Sequence, residues 1–359
     1  MKVRPIGEQA ASGAGGEELG ATTTPSVEGP VGAEPEISTP AAQVQRASIA
    51  EPAGEPVGFP DGGSGVDEEV GSGPAGPIMA SLAAESGTVP KHARTLGTVR
   101  PLPRVMAVAN QKGGVGKTTT TVNLGAALAE LGYRVLVVDL DPQGNATTGL
   151  GIDARNFELS MYDVIMRDAP MEDCIEPTSV KNLFVAPATI DLAGVEIELV
   201  PAFSREMKLK KAIDSVVDDF DFALIDCPPS LGLITINGLA AASEVLVPIQ
   251  CEYYALEGLG QLLRNVHLVE SNLNSKLEVS TIVLTMYDAR TRLAVDVAGE
   301  VRDHFPDKVC RSVIPRTVRI SEAPSFGQPI TVFDPSSRGA VAYRELAKEV
   351  SNGAPKRAG

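Results

Sequence analysis

The sequence has no tryptophan, and only 4% of its 359 residues are aromatic. Its 4 cysteines, Cys174, Cys227, Cys251 and Cys310, stand far apart and form no CxxC pair. That spacing argues against a disulfide framework or a thiolate zinc site and fits a reducing cytoplasm. No apolar run reaches the ~18 residues that a membrane helix requires. Lys2 and Arg4 are not followed by the apolar segment of a signal peptide. Positive charge is scarce as well: 31 Lys and Arg stand against 46 Asp and Glu, a formal net charge of −15. Such a chain has no overall attraction to nucleic acid or an anionic membrane, so any binding of that kind needs a local patch. Apolar residues are plentiful at 43%, enough for a substantial core.

The composition changes near residue 100. The first 100 residues are rich in Gly, Pro, Ala, Ser and Glu, with one aromatic, Phe59, and with 13 acidic against 6 basic residues. Such a segment buries too little apolar surface to offset its chain entropy. Residues 1–103 are therefore expected to be a disordered extension, with 77–84, PIMASLAA, as a candidate docking stretch for a protein partner. Residues 104–352 read as one domain and 353–359 as a short polar tail. Within the domain, apolar runs of strand length fall at 104–110, 134–141, 182–188, 221–229, 244–250 and 278–286. Helical spacing fills 118–132, 204–218, 233–242, 255–272, 293–304 and 338–350. Apolar strands alternating with helices predict an α/β fold with a mostly parallel sheet covered on both faces.

The stretch NQKGGVGKTTT, 110–120, follows the first strand and opens the first helix. Gly116-Lys117-Thr118 completes a phosphate-loop pattern, although Gln111 stands where its first glycine belongs. The backbone N–H groups of Gly113, Gly114, Val115, Gly116, Lys117, Thr118 and Thr119 can surround phosphates, with the helix dipole behind them. Lys117 offers a charge to the β- and γ-phosphates, and Thr118 a hydroxyl to Mg²⁺. Asp139 and Asp141 close the second strand and point the same way along it. Asp141, nearer the loop, is the candidate to position the attacking water, and Asp139 to support the metal. Asp226 ends the apolar run 222–226 as a Walker B carboxylate would, and so is the candidate Mg²⁺ residue.

The loop Lys112-Gly113-Gly114-Val115-Gly116-Lys117-Thr118 resembles the deviant Walker A motif, whose hallmark is the additional lysine. The resemblance implies that Lys112 reaches the nucleotide of a second subunit. With VVDLDPQGNATTGLG, IDCPPSLGLITINGL, PIQCEYYALEGL, LTMYDAR and IPRTVRISEAPSFGQPI in family order, residues 104–352 resemble the ParA/Soj chromosome-partitioning ATPases. That resemblance implies ATP as substrate and Mg²⁺ as cofactor. It also implies an ATP-dependent homodimer that binds double-stranded DNA without sequence preference, and a ParB-type centromere-binding protein that stimulates hydrolysis. A cytoplasmic, nucleoid-associated location follows from it, with no membrane partner.

A local basic patch is present despite the acidic balance. Residues 308–319, KVCRSVIPRTVR, hold four basic residues and no acidic one. By the resemblance, Arg290 and Arg319 are DNA-contacting residues; Arg316 and Lys308 are further candidates for contacts to phosphates. Pro315 and Arg316, with Thr285 and Met286, are also candidates to border the adenine. Two alternatives stand beside partitioning. One is a nucleotide-gated polar or division-site scaffold acting through the N-terminal extension. The other is a MinD-like membrane-positioning ATPase, for which the C-terminal end supplies no basic amphipathic helix.

Overall fold

A computed structural model describes residues 99–355, except 154 and 156. The expected disordered extension, its stretch 77–84 and the last four residues lie outside the described part. Among the described residues, eight strands form one sheet: β1 Arg104–Val108, β2 Val135–Asp139, β3 Glu176–Pro177, β4 Leu183–Ala186, β5 Phe222–Asp226, β6 Glu244–Gln250, β7 Glu278–Tyr287 and β8 Val309–Pro315. Their order is β3-β4-β2-β5-β1-β6-β7-β8. Every neighbouring pair is parallel except the short β3–β4 edge. The mostly parallel sheet flanked by helices is thus the fold that the sequence leads one to expect.

Alternate residues of each central strand feed opposite layers, as a pleated strand requires. Met106 and Val108 of β1, Val135 and Val137 of β2 and Leu224 of β5 pack with the first helix, α1 Lys117–Glu130. The last helix also packs on that face, through Tyr343, Leu346 and Val350. Ala107, Leu136, Val138, Ala223 and Ile225 face the other way, onto the helices that follow β4 to β7. Strands covered on both faces read as continuous apolar runs, which is why β1, β2 and β5 were legible.

Two features depart from the sequence reading. The basic run 308–319 is not a surface patch throughout, because its middle is the edge strand β8. Short helices also fill stretches with no clear period: α2 Asn145–Gly149, α3 Met161–Arg167, α4 Met171–Cys174 and α5 Leu192–Glu198. Longer ones, α6 Lys208–Val216, α7 Leu233–Ala241, α8 Ala255–Asn272 and α9 Arg292–His304, fall close to the expected ranges. After β8 come α10 Val318–Glu322, α11 Ile330–Phe333 and α12 Arg338–Ser351.

Candidate functional site

The carboxyl ends of seven strands open onto one end of the sheet, where open α/β folds place their ligands. The loop between β1 and α1 lies there, flanked by β5 and β6. Gly114 (φ 73°) and Gly116 (φ 87°) hold left-handed turns that a side chain resists. A Cβ built on Gly113 or Gly114 meets nothing within 4 Å, so the loop faces open space. The N-terminus of α1 begins at Gly116 with no side-chain cap, leaving it to an anion.

Three struts hold the loop. Asn110 donates from Nδ2 to the Pro248 carbonyl (2.8 Å), and its Oδ1 accepts from the Lys112 amide (3.0 Å). The Thr285 hydroxyl donates to the Val115 carbonyl at 2.8 Å, so Thr285 braces the loop itself. The two lysines occupy different positions. Lys117 is buried, and its ammonium donates back to the Lys112 carbonyl at 3.3 Å. Burial lowers its pKa, against the pull of Asp226 and Asp141. Lys112 instead turns outward, its ammonium 2.8 Å from Glu252 Oε2, with both side chains partly exposed. An ion pair so exposed contributes about 0–1 kcal/mol and can be exchanged.

The carboxylates gather beside the loop. Asp226 lies opposite Asp139 in register across β5 and β2, and opposite Val108 of β1. Both carboxyls are fully buried. Asp226 Oδ1 accepts from the Thr121 hydroxyl at 3.0 Å, while its Oδ2 is buried with no partner. Burial raises the Asp226 pKa, and neighbouring Asp139 raises it further; the nearby Thr118 hydroxyl and the Thr121 hydrogen bond oppose the shift. A buried carboxyl oxygen without a partner, beside a hydroxyl and a second carboxyl, is the donor set of a hard cation. These residues fit Mg²⁺, and the open, uncapped loop fits the phosphates.

Asp139 has a different occupation. Its Oδ2 accepts from the Thr147 amide (2.8 Å) and hydroxyl (2.7 Å), and its Oδ1 accepts from the Asp141 amide (3.1 Å). It therefore anchors α2 and the turn carrying Asp141, and burial raises its pKa. Asp141 is half-buried, and its Oδ1 accepts only from the Gln143 amide.

The structure sorts the basic candidates. Arg290 follows β7, and Arg316 and Arg319 follow β8, at the phosphate-loop end of the sheet. Lys308 precedes β8 and so lies at the other end, half-buried near Glu278 and Arg100. It does not join the three arginines. Arg290 is exposed but paired with Asp288 at 2.6 Å. Arg319 pairs with Glu322 and with Asp334, both at 3.1 Å. Arg316 is exposed and takes part in no ion pair among the described residues. Pro315 lies beside Tyr287 in register, two residues beyond Thr285.

Sequence reasoning missed Glu252, Thr121, Thr147 and Asn123. Thr121 could have been found, since it lies three residues after Thr118 on one helix face. Glu252 carried no signal, because it meets Lys112 across 140 positions.

A parallel sheet, a glycine loop opening a helix, and a buried carboxylate on the adjacent strand define a P-loop nucleoside triphosphatase, with the second loop lysine marking its deviant branch. A family model described as an AAA domain matches residues 103–279. The sporulation initiation inhibitor protein Soj of Bacillus subtilis is 58% identical over 248 residues, 69% of this chain and 98% of that protein. The chromosome partitioning protein ParA of Caulobacter vibrioides is 52% identical over 249 residues, 69% of this chain and 93% of its own length. Among solved structures, a protein titled cobyrinic acid a,c-diamide synthase from Mycobacterium smegmatis, with bound ADP and magnesium, is 43% identical. That alignment covers 69% of this chain and 93% of that one, with a TM-score of 0.60. The chain belongs to the ParA/Soj family of chromosome-partitioning ATPases. Among its described residues no helix is long and apolar enough to cross a membrane.

Proposed function

We propose that the chain couples ATP hydrolysis to reversible DNA attachment during the partitioning of replicated DNA. Thr118 and Asp226 hold Mg²⁺, with Asp139 fixing the adjoining turn. Mg²⁺ held there would supply the positive charge that offsets developing phosphate charge. Lys117 exchanges the Lys112 carbonyl for the β- and γ-phosphates, and the amides of residues 113–119 surround them. Asp141 orients the attacking water. In the ATP state Lys112 leaves Glu252 and meets the nucleotide of a second copy, so that nucleotide forms part of a homodimer. Dimerisation doubles a small basic surface built from Arg290, Arg316 and Arg319, and avidity then makes DNA binding nucleotide-dependent. Lys308 contributes least to it. A ParB-type protein accelerates hydrolysis and so releases the dimer. Partner docking through the N-terminal extension is a separate proposal, tested by deleting residues 1–98.

The observation that carries this reading is the emergence of all three arginines from the same end of the sheet as the phosphate loop. The test is binding to random-sequence duplex DNA with ATP·Mg²⁺, with ADP and without nucleotide. Salt-sensitive binding with ATP alone is expected, prolonged by Asp141→Ala and abolished by Arg290→Glu. Equal binding in all three states would refute gating. Capture by anionic liposomes instead of DNA would favour the MinD-like alternative. Faster ATP turnover with cobyrinic acid and an amide-nitrogen donor would favour a synthase like the mycobacterial protein.

A further inference from the structure

The segment 323–334 lies between the nucleotide elements and Arg319. It begins with a short turn, Ala323–Phe326, bends at Gly327 (φ 62°) and continues into α11. Arg319 is fastened to it in two ways. Its Nε lies 3.1 Å from Asp334 Oδ2, and its guanidinium sits 5.4 Å from the centroid of the Phe333 ring. Phe333 in turn stacks on Phe326 at 4.9 Å.

Two ties run from this segment back to the nucleotide site. The Ile330 amide donates to Asn123 Oδ1 at 2.6 Å. The same side chain donates from Nδ2 to the Thr119 carbonyl at 2.7 Å. Asn123 is 3% exposed and Ile330 fully buried, so water does not substitute for either bond. One short amide thus bridges the first turn of the phosphate helix and the segment to which Arg319 is fastened. The second tie is a contact between two glycines, Gly151 (φ 79°) and Gly327. A Cβ on Gly151 would lie 2.9 Å from the Gly327 carbonyl oxygen. Gly151 closely follows α2, whose Thr147 is gripped by Asp139.

We propose that Asn123 is a positioning residue that couples the phosphate loop to the DNA-contacting corner. Its amide holds 323–334 in register with α1, so a shift of the loop on nucleotide binding moves Arg319. The residue type follows from the geometry. The bridge needs one donor and one acceptor on a short rigid group, and asparagine supplies both. The inference rests on the reading of Arg319 as a DNA contact.

The test compares full-length wild type, Asn123→Ala and Arg319→Ala. Affinity for a non-hydrolysable ATP analogue is measured first, then affinity for random-sequence duplex DNA with and without the analogue. Asn123→Ala should bind the analogue nearly as wild type does, yet lose about tenfold or more of the DNA affinity that the analogue confers, within the usual range of coupling between sites. Hydrogen exchange supplies a second readout: the analogue should slow exchange in 323–334 of wild type and leave it unchanged in Asn123→Ala. Undiminished analogue-dependent DNA binding by Asn123→Ala, with binding lost in Arg319→Ala, overturns the coupling alone. Loss of analogue binding in step with DNA binding overturns it too, because the defect then lies in the nucleotide site or the fold. No effect of Arg319→Ala removes the DNA reading and the coupling together.

Discussion

The two ends of the sheet treat charge in opposite ways. At the amino ends of β1 and β6, the charged groups are matched and buried. Arg104 meets both carboxylate oxygens of Glu244 at 2.7 Å and also reaches the Val350 carbonyl. Arg100 bridges Glu244 at 3.1 Å and Glu278 at 2.6 Å. At the carboxyl ends, Asp226 keeps an oxygen without a partner, Lys117 leans on a carbonyl, and α1 starts without a cap. A satisfied end has nothing left to offer a ligand. An unsatisfied end is held in that condition by the rest of the fold, and the missing partners describe what it binds.

The sharpest way to break this comparison is to remove one partner at the satisfied end. Glu244→Ala leaves Arg104 charged and buried, and should cost about 3–5 kcal/mol of folding stability. Chemical denaturation measures it, and a loss below ~1 kcal/mol would show that the network is not structural. The opposite end should respond with the opposite sign. Asp226→Asn removes a buried carboxyl whose raised pKa opposes folding at neutral pH, so the ligand-free protein should gain about 1–3 kcal/mol. The same variant should lose the rise in melting temperature that ATP·Mg²⁺ gives wild type. A variant less stable than wild type without ligand would contradict the reading of Asp226 as an unsatisfied metal residue.

The smallest effect concerns acid. Arg104 and Arg100 hold the Glu244 pKa below its ordinary value, against desolvation. Its contribution is therefore present above the unfolded carboxylate pKa of about 4.3 and is lost as pH falls through the lower folded value. Denaturation between neutral pH and about pH 3 should show a stability loss in wild type that Glu244→Gln lacks. Parallel curves for the two proteins would assign acid sensitivity to other carboxylates.

How much of this was legible from sequence depended on distance along the chain. β1, β2 and β5 announced themselves because both faces are covered. β8 did not, because Arg311 and Ser312 interrupt its apolar pattern at the partly exposed sheet edge. The same strand explains why Lys308 parted from Arg316 and Arg319. Seven residues of extended chain carry the backbone about 23 Å, so neighbours in sequence reached opposite ends of the sheet. Asn123 looked like an ordinary polar residue in an apolar helix, and its partner Ile330 lies 207 positions away.

The sequence alone determined the phosphate loop, the alternation of strands and helices, and the family to which the chain belongs. These rest on contiguous residues whose backbone and hydrophobic requirements are local. Only the tertiary structure decided which carboxyl keeps an oxygen without a partner, which acid pairs with Lys112, which basic residues share the phosphate-loop end, and what ties Arg319 to the phosphate helix. Each depends on strand order and on which ends of the strands meet, and such long-range packing leaves no pattern in neighbouring residues.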